Sequence, residues 1–321
     1  MQIEVSKKYQ FNCENVEEKK YLNVYYGADD NVCRALCTSI YSVYICNKKN
    51  NLLFSVITAG FNKANLEKIR ALATLYSIKI QIFIINPNVL QKLKTASHFP
   101  TAAYFRITGP HLIHAPQLLY LDTDIIANQC DISPLFTLSL GTHIIGAVQD
   151  ADFMAKKRTK HLHLSGNNYF NSGVLVINTD LWKDDSISEH LLNVLTHRKN
   201  LSYMDQDALN IVLEKKTTYL PHKWNQYTIN KLDYSAPGLI HFTAHPKPWS
   251  TGWSLRTDLN PFIQTLYQNM ENHTPWKDAP LEPPASSHAI RIHAKLLKKN
   301  KKYGKFIICY CKYLCSKLRG K

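Results

Sequence analysis

An apolar run that ends in two carboxylates constrains the fold of this chain more than any other segment. Residues 118–124 read Leu-Leu-Tyr-Leu-Asp-Thr-Asp. A strand buried in a parallel sheet requires such an apolar run, whereas the two carboxylates require water or a cation. Ligands of an open α/β sheet bind where its strands end. We therefore predict that Asp122 and Asp124 hold a divalent metal of the kind that binds a diphosphate, the alternative being a solvated turn.

Strand and helix signals alternate through the first two-thirds of the chain. Strands are expected at 21–26, 52–58, 80–85, 117–121, 144–148, 173–178 and 239–242, and helices near 32–44, 62–77, 187–197 and 205–213, with a helical start at 104–113 that breaks at Gly109-Pro110. This alternation predicts an α/β fold with a mostly parallel central sheet and helices on both faces. The strand at 21–26 is expected to be the first. The polar and basic segment 151–168 has the composition of a mobile loop.

The charge of the chain is concentrated near its C-terminus. The 321 residues carry a formal net charge of +15, and residues 288–321 supply eleven of these charges because they include eleven Lys and Arg but no Asp or Glu. A Pro-rich stretch precedes them, which is typical of a linker. We expect an N-terminal lead-in at 1–20, an α/β domain at 21–252, a further segment with this linker at 253–287, and a basic amphipathic tail at 288–321.

Apolar and tyrosine side chains alternate with the lysines of this tail. A basic amphipathic segment of this kind is typical of docking on an anionic membrane surface. Nucleic acid is the other partner that such charge attracts, but the high apolar content favours lipid, and we expect no nucleic acid. The structural alternative is a disordered, solvated tail.

Cysteine usage and hydropathy favour a cytoplasmic protein. The eight cysteines show neither the spacing of a disulfide framework nor that of a metal site, which suits a reducing compartment. Residues 1–20 contain no apolar signal-peptide region. No run of about 20 apolar residues is present, so we expect no transmembrane helix. The acidic turn after the strand at 21–26 argues against a dinucleotide-binding fingerprint and a P-loop.

Other candidate residues lie at predicted strand and helix ends. His241 ends a strand and could be a third metal ligand, and carboxylates with one imidazole suit Mn²⁺ better than Zn²⁺. Lys247 could pair with a phosphate. For both, a structural surface loop is the alternative.

Three polar segments could bind a sugar or a nucleotide. Asp205-Gln206-Asp207 opens a helix, so Asp205 could be an N-cap and Asp207 a favourable charge at the helix dipole. Gln206 is not needed for either role and could stabilise positive charge on a sugar. Asn171, in a polar pair before a strand, could bond a ligand hydroxyl or form a turn. Asp29 to Asn31 could bind a base and ribose or cap a helix.

The order of these segments resembles that of family-eight retaining glycosyltransferases. The shared pattern is Asp-Asp-Asn after the first strand, Tyr-Leu-Asp-x-Asp, Tyr-Phe-Asn-x-Gly-Val, Asp-Gln-Asp and His-x-x-x-x-x-Lys-Pro-Trp, and it runs from about Tyr21 to Trp249. Residues 253–284 look like the C-terminal extension of the enterobacterial lipopolysaccharide core glucosyl- and galactosyltransferases. Tyr-Phe-Arg at 104–106 also fits that subgroup.

The resemblance implies a GT-A fold, a UDP-glucose or UDP-galactose donor, and Mn²⁺ or Mg²⁺ as the cofactor. Carried over position by position, it gives Asp122, Asp124 and His241 as metal ligands and Asp29 and Asn31 as uridine contacts. Arg106 and Lys247 would face the diphosphate or the donor sugar. Asp150, Asn171 and Asp205 would contact sugar hydroxyls, and Gln206 would face the anomeric carbon. Thr123, between the two aspartates, is a further donor-binding candidate.

One residue departs from the family pattern. The family usually has glycine at the position of Ala244, in the loop expected to wrap the diphosphate, where glycine would suit close approach or positive φ. Alanine leaves the metal ligands in place but puts the loop path and the donor affinity in question.

The expected function is transfer of glucose or galactose to the growing lipopolysaccharide core at the inner face of the inner membrane. Retention requires either a covalent carboxyl intermediate, for which Asp150 is the candidate, or attack from the face that UDP leaves. We favour same-face attack, because Gln206 is an amide and a poor nucleophile. The alternatives are a metal-dependent nucleotidyltransferase or phosphohydrolase, and an inactive fold that binds partners through its basic tail.

Overall fold

The structure is a computed structural model, and it describes residues 3–13, 20–86, 88–91, 93, 101–227, 236–257 and 259–319. The strands are β1 (Val5–Phe11), β2 (Leu22–Gly27), β3 (Leu52–Thr58), β4 (Ile80–Ile85), β5 (Gln117–Leu121), β6 (Ile125–Asn128), β7 (Ile145–Gln149), β8 (Phe170–Asn178), β9 (Thr217–Leu220), β10 (Gln226–Tyr227) and β11 (Gly238–His241). The α-helices are α1 (Cys33–Cys46), α2 (Lys63–Tyr76), α3 (Asn88–Gln91), α4 (Gly109–Leu112), α5 (Ser133–Thr137), α6 (Asp152–Leu162), α7 (Thr179–Asp184), α8 (Ile187–His197), α9 (Met204–Val212), α10 (Pro261–Glu271), α11 (Ser287–Lys299) and α12 (Tyr303–Arg319). The predicted lead-in and tail also include 1–2, 14–19 and 320–321, which lie outside the described residues.

The main sheet has eight strands in the order β1-β4-β3-β2-β5-β8-β7-β9. Strands β4, β3, β2 and β5 are parallel to one another, and β7 is parallel to β9, whereas β1 and β8 run antiparallel to their neighbours. A small second sheet has the order β10-β11-β6. The predicted α/β fold with a mostly parallel sheet is confirmed.

The central strands are buried on both faces, which is why most of their residues are apolar. Along β2, the side chains of Val24 and Tyr26 join one core cluster, and Tyr25 joins another. Helices α1 and α2 cover the first face, where their buried residues include Leu36 and Leu72. Helices α8 and α9 cover the other face. The predicted helices on both faces are therefore confirmed.

One edge of the sheet collects the polar segments singled out in the sequence. Strands β2 and β5 are parallel neighbours and end there, and β8 begins there because it is antiparallel to β5. Strand β7 is antiparallel to β8 and ends at the same edge. The topology thus brings 29–31, 122–124, 150 and 171–173 to one end of the sheet, where ligands of α/β folds bind.

The strand at 21–26 is the second in chain order, because Val5–Phe11 already forms an edge strand. This edge strand, β1, pairs antiparallel with β4, with Tyr9 opposite Ile82. Most of its side chains are exposed, and Tyr9 and Phe11 pack against the core. An edge strand that exposes Lys7 and Lys8 carries no continuous apolar run, so its sequence gave no strand signal.

The prediction of a mobile loop at 151–168 is wrong, because most of this segment is helix α6. The helix buries Ala155, Arg158, Thr159 and Leu162. These positions lie on one helical face, but half of them are polar. A hydrophobic pattern therefore could not reveal the helix, whose buried face depends on an ion pair made by Arg158.

Three local expectations also differ from the structure. Strand β8 begins at Phe170, so Asn171 and Ser172 lie within the strand rather than in a turn before it. The N-cap of α9 is Tyr203, so Asp205 does not cap that helix. The break expected at Gly109-Pro110 lies one residue earlier, at Thr108: a 3₁₀ helix occupies Thr101–Ile107, and Gly109 and Pro110 form the first turn of α4.

The C-terminal segment forms a helical hairpin of α11 and α12. Leu255 packs with Ala294, Leu297 and Cys309 in a small core of its own. The side chain of Asn300 donates a hydrogen bond of 2.9 Å to the carbonyl of Leu255. The disordered alternative for 288–319 is therefore wrong. Among the described residues, no helix combines the length and apolar character that a membrane span requires.

Candidate active site

Two aspartates and a histidine converge at the carboxyl end of β5. Asp122 and Asp124 follow the strand, and His241 ends β11, which pairs with β6. One ligand atom from each lies within 4.8 Å of the others, in the one group of this kind among the described residues. The His241 Nε2 atom is 3.2 Å from Asp124 Oδ1 and 3.7 Å from Asp122 Oδ2. The structure thus brings together the three residues predicted as metal ligands.

Two hydrogen-bonded amide side chains, Asn171 and Asn225, determine which ring nitrogen of His241 carries the proton. The Asn171 oxygen accepts from the Gly173 backbone at 2.9 Å and from Asn225 Nδ2 at 2.9 Å. Asn225 therefore presents its oxygen to His241 Nδ1, at 3.0 Å. The hydrogen-bond network thus assigns the proton of the neutral ring to Nδ1. This leaves the lone pair of Nε2 directed at the carboxylates, as in metal-binding histidines.

The donor set fits a divalent cation. The His241 Nε2 lone pair and two carboxylates face one another, and such an arrangement repels itself unless a proton or a cation lies among them. Carboxylate oxygens suit Mg²⁺ and Mn²⁺, and one imidazole is compatible with Mn²⁺. The three side chains could therefore hold such an ion.

Each carboxylate is also paired with a basic side chain. Lys247 Nζ lies 2.7 Å from Asp124 Oδ2 and also donates to the carbonyl of Phe242. Burial alone would raise the pKa of Asp124, but the charge of Lys247 and its hydrogen bond hold that pKa well below its ordinary value. Asp124 is therefore a carboxylate throughout the neutral range, as a metal ligand must be.

Arg106 lies between several site residues and is 6% exposed. Its Nη2 donates to Asp122 Oδ1 at 2.8 Å, and its Nε lies 3.2 Å from Asp205 Oδ2. Its Nη1 donates to the carbonyl and hydroxyl oxygens of Ser172 at 2.8 and 2.7 Å. The Tyr120 hydroxyl also donates to Asp122 Oδ1, at 2.6 Å. Arg106 therefore fixes the positions of two carboxylates and of the start of β8.

Asp150 and Gln206 contact each other directly. Gln206 Nε2 donates to Asp150 Oδ2 at 2.9 Å, and the Ala151 backbone donates to Asp150 Oδ1 at 2.7 Å. The Gln206 oxygen accepts from the Ser172 backbone at 3.1 Å. Burial raises the pKa of Asp150 although these hydrogen bonds lower it. The two residues predicted to be catalytic thus form one hydrogen-bonded pair.

Asp205 is a second buried carboxyl group at this site. Burial, against the attraction of Arg106 and with a further contribution from the charge of Asp122, raises its pKa to about 6. It lies in the first turn of α9, next to Gln206.

The residues expected to bind uridine occupy the end of β2. The Asp29 carboxylate accepts from the Asn31 backbone at 2.9 Å and caps a 3₁₀ helix at Asp30–Val32. Asp30 instead ties this turn to α2, because it accepts from the Asn62 backbone at 2.9 Å. In the described residues, the side chains of Asp29, Asn31 and Thr123 have no hydrogen bond or ion pair with Asp122, Asp124 or His241. Asp29 and Asn31 lie at the same sheet edge as these three residues, and Thr123 lies between the two aspartates in the chain.

The Ala244 position does not require glycine in this chain. The residue is half-buried, and it is absent from the described residues with positive φ. The backbone here is one that alanine adopts without strain.

Sequence reasoning missed several residues that build this site. A Cβ atom at Gly173 would lie 2.4 Å from His241 Cε1, so only glycine allows the ring to occupy its position. The signal was present, because Gly173 belongs to the Asn-x-Gly motif. No sequence signal indicated Asn225, which precedes β10 and contacts His241 from another part of the chain.

Comparison with known proteins identifies the family. The sequence model of Glycosyl transferase family 8 matches residues 23–252, and that of Glycosyl transferase family 8 C-terminal matches residues 263–317. The chain is 32% identical to a lipopolysaccharide 1,2-glucosyltransferase of Escherichia coli strain K12, over 99% of this chain and 97% of that protein. It is 30% identical to a lipopolysaccharide 1,3-galactosyltransferase of Salmonella typhimurium, over 92% of this chain and 91% of that protein.

The fold is also found among solved structures. The galactosyltransferase LgtC, in complex with donor and acceptor sugar analogues, superposes with a TM-score of 0.68 at 21% identity, covering 79% of this chain and 96% of that one. At this identity the likeness shows the fold, which is the predicted GT-A fold. The chain therefore belongs to glycosyl transferase family 8, and it is a retaining glycosyltransferase of GT-A fold.

Proposed function

We propose that this enzyme transfers glucose or galactose from a UDP-sugar to the growing core oligosaccharide of lipopolysaccharide. The convergence of Asp122, Asp124 and His241 beside the Asp150–Gln206 pair is the observation that carries the proposal. In this arrangement, residues that could hold a metal-bound diphosphate lie next to residues that could bind a sugar. The names of the two enterobacterial relatives support hexose transfer to lipopolysaccharide.

Each predicted residue has a proposed role. Asp122, Asp124 and His241 would hold Mn²⁺ or Mg²⁺, and the bound ion would neutralise charge on the leaving diphosphate. Asp29 and Asn31 would contact uridine at the end of β2. Arg106 would face the diphosphate or the donor sugar, Thr123 would be a further donor contact, and Asp150, Asn171 and Asp205 would bind sugar hydroxyls.

Lys247 would exchange partners when the donor binds. In the structure it neutralises Asp124 from a distance of 2.7 Å. A divalent cation at Asp124 would replace that charge, and the ammonium group would then be available for a phosphate oxygen. The positive charge of Lys247 would thus neutralise Asp124 without donor and a phosphate oxygen with donor.

The geometry favours attack from the face that UDP leaves. Both Asp150 oxygens already accept hydrogen bonds, one from Gln206 and one from the Ala151 backbone, and these bonds reduce the nucleophilicity of the carboxylate. Gln206 is an amide and a poor nucleophile. A phosphate oxygen of UDP would take the acceptor proton while the acceptor oxygen forms its bond to the anomeric carbon.

Slow donor hydrolysis tests the proposed activity. The purified protein is incubated with a panel of UDP-sugars in Mn²⁺, in Mg²⁺ and in EDTA, and the released products are identified. We expect metal-dependent release of free glucose or galactose from one donor. Release of a sugar phosphate would support the nucleotidyltransferase or phosphohydrolase alternative, and no turnover or binding of any UDP-sugar would contradict the proposal.

Two variants test the assigned residues in the same assay. Asp122→Asn should abolish metal-dependent turnover, because it removes a charged ligand. Asp185→Asn is the matched control, since Asp185 forms an exposed ion pair with Lys216 on another surface. Gln206→Ala should lower kcat by much more than a few fold, and a smaller loss would argue against a close catalytic role.

The C-terminal hairpin supports docking on an anionic membrane. Tyr303, Ile307, Tyr310, Leu314 and Leu318 are between 42% and 75% exposed. Their spacing of three or four residues places them along one face of α12. Residues 288–321 contain eleven basic and no acidic residues, and each basic residue near an anionic bilayer contributes about 1 kcal/mol.

Vesicle binding by the full chain tests this docking. We expect binding to vesicles with anionic lipid, weak binding to neutral vesicles, and a decrease with salt. Leu314→Glu should weaken binding, whereas Leu75→Glu should not, because Leu75 is equally apolar and more exposed than Leu314 but lies on α2. Equal binding of both variants, or a preference for nucleic acid, would contradict it.

We also retain the predicted chain division as a proposal, with a catalytic domain at 21–252, an extension at 253–287 and a docking tail at 288–321. The corresponding location is the cytoplasmic face of the inner membrane, where lipid-linked core acceptors would be accessible to the hairpin.

A further inference from the structure

The Tyr169 hydroxyl lies between the Asp150–Gln206 pair and a buried carboxylate. It is 2.7 Å from Asp207 Oδ1 and 3.2 Å from Gln206 Nε2. Tyr169 and Asp207 are both fully buried. None of the catalytic or binding roles proposed above uses Tyr169, Asp207 or Arg158.

Asp207 is held as an ion by donors on every side. Arg158 of α6 donates to both of its oxygens, at 3.1 and 2.7 Å. The backbones of Ser202 and Tyr203 each donate to Oδ2 at 2.8 Å. A buried carboxylate requires such complete pairing. Asp207 is therefore an acceptor only, and the Tyr169 proton points to it.

This proton assignment determines the orientation of the Gln206 amide. With its only proton donated to Asp207, the Tyr169 oxygen can accept from Gln206 but cannot donate to it. The Gln206 group facing Tyr169 must therefore be the NH₂. The other proton of this NH₂ is donated to Asp150, and the side-chain oxygen of Gln206 accepts from the Ser172 backbone N–H. A flipped amide would place its oxygen against the Tyr169 oxygen and the Asp150 carboxylate, with no proton between them.

We propose that Tyr169, oriented by the buried Arg158–Asp207 ion pair, is a positioning residue that fixes the Gln206 amide and keeps its NH₂ on Asp150. The inference rests on the proposed function of Gln206. It also gives helix α6 a role at the site, since that helix supplies Arg158.

A double-mutant cycle tests whether Tyr169 acts through Gln206. Tyr169→Phe keeps the ring but removes the hydroxyl. We expect kcat of donor hydrolysis to fall about five- to tenfold, the effect of one lost hydrogen bond, with the donor KM within about twofold because no donor contact is removed. In the Gln206→Ala background the same change should alter kcat less than about twofold. Equal losses in both backgrounds would overturn the inference.

Tyr26→Phe is the matched control. It removes a buried hydroxyl that bonds to Ser39 at 3.1 Å, away from Gln206, so it should leave kcat unchanged. If Tyr169→Phe does not fold, Arg158→Lys makes the same test, because lysine keeps the charge but cannot bind both oxygens of Asp207 in parallel. It should also lower kcat only when Gln206 is present.

A readout without turnover separates this inference from the proposed function. The side-chain ¹⁵N–H₂ signal of Gln206 is assigned by its loss in Gln206→Ala. We expect Tyr169→Phe to shift this signal and Tyr26→Phe to leave it in place, whether or not the protein hydrolyses a donor. An unshifted signal would overturn the positioning role, whereas an inactive wild-type protein with a shifted signal would count only against the proposed function.

Discussion

At the scale of single residues, the arrangement of Asp122, Asp124 and His241 depends on neighbours that keep each side chain in one chemical form. Asp124 is ionised beside Lys247, and the Asn225–Asn171 pair directs the Nε2 lone pair of His241 toward the carboxylates. The sequence motifs predicted these three residues as metal ligands, and the structure brings them together. They could not predict Asn225, because its contact with His241 arises only when separate strands pack together.

Gly173→Ala should weaken metal binding. A Cβ atom would lie 2.4 Å from His241 Cε1 and 2.7 Å from Nδ1, so the ring would have to leave its position. We expect a loss of about 10- to 100-fold in Mn²⁺ affinity, as for other changes around metal ligands, measured by calorimetric titration. Gly166→Ala is the control, since its nearest neighbour would be 3.9 Å away. An unchanged affinity in Gly173→Ala would contradict the His241 assignment.

Asp205 should make stability fall as the pH rises. Its folded-state pKa of about 6 lies above the ordinary value of 3.8, so the folded protein holds this proton more tightly than the unfolded chain. The resulting stabilisation is complete below the unfolded pKa and is lost as the pH rises through 6. Asparagine does not titrate in this range, so Asp205→Asn lacks this loss of stability with rising pH.

Urea denaturation in EDTA measures the effect. From about pH 4.5 to pH 7, the free energy of unfolding of Asp205→Asn should increase relative to wild type by about 2 kcal/mol. A difference between the two proteins that stays constant or changes in the other direction would show that Asp205 is not the raised group.

At the scale of elements, the sequence predicted those whose buried face is apolar. Strands β2, β3 and β5 are mostly apolar, and α8 and α9 show clear helical periodicity, so all were expected close to their observed bounds. Strand β1 and helix α6 were not. The first is a polar sheet edge, and the second buries Arg158 against Asp207, a partner that only the tertiary structure supplies.

The Arg34–Glu271 ion pair should be important for stability because it joins α1 to α10. Two hydrogen bonds of 2.6 and 2.7 Å link the buried side chains. Glu271→Gln would leave the buried Arg34 charge with weaker compensation. We expect a loss of about 3 kcal/mol in the free energy of unfolding.

Glu67→Gln is the control for this prediction. It breaks an exposed pair with Arg70 of 3.6 Å and should change stability by less than about 0.5 kcal/mol. A single cooperative urea transition in wild type would show that α10 unfolds with the catalytic domain. Similar stability of the two variants would contradict the role of the Arg34–Glu271 pair.

At the scale of the whole molecule, charge and catalysis are located in different places. Residues 288–321 supply eleven of the fifteen excess positive charges, whereas the candidate site combines carboxylates with a few cations. The hairpin nevertheless contacts the loop at 242–252, which contains Lys247. His293 of α11 lies so close to Gly252 that a Cβ atom there would be 2.7 Å from His293 Nδ1. The composition predicted the basic tail, but its packing against this segment depends on tertiary contacts.

Nucleotide binding should stabilise the whole protein only when a metal is present. At 100 times the dissociation constant, UDP with Mn²⁺ should add about 2.7 kcal/mol to the free energy of unfolding, which a thermal melt detects as a higher Tm. UDP with EDTA should have little effect. ADP with Mn²⁺ is the control for base recognition at Asp29 and Asn31, and an equal shift with ADP would contradict that role.

The most direct test is to follow donor hydrolysis by proton NMR and identify the anomer that forms first. Mg²⁺ replaces Mn²⁺ because the paramagnetic ion would broaden the signals. We predict that UDP-α-glucose or UDP-α-galactose gives the α-anomer of the free sugar first, before mutarotation, and that EDTA stops the reaction. Initial formation of the β-anomer, release of a sugar 1-phosphate, or unchanged turnover in EDTA would contradict metal-assisted transfer with retention.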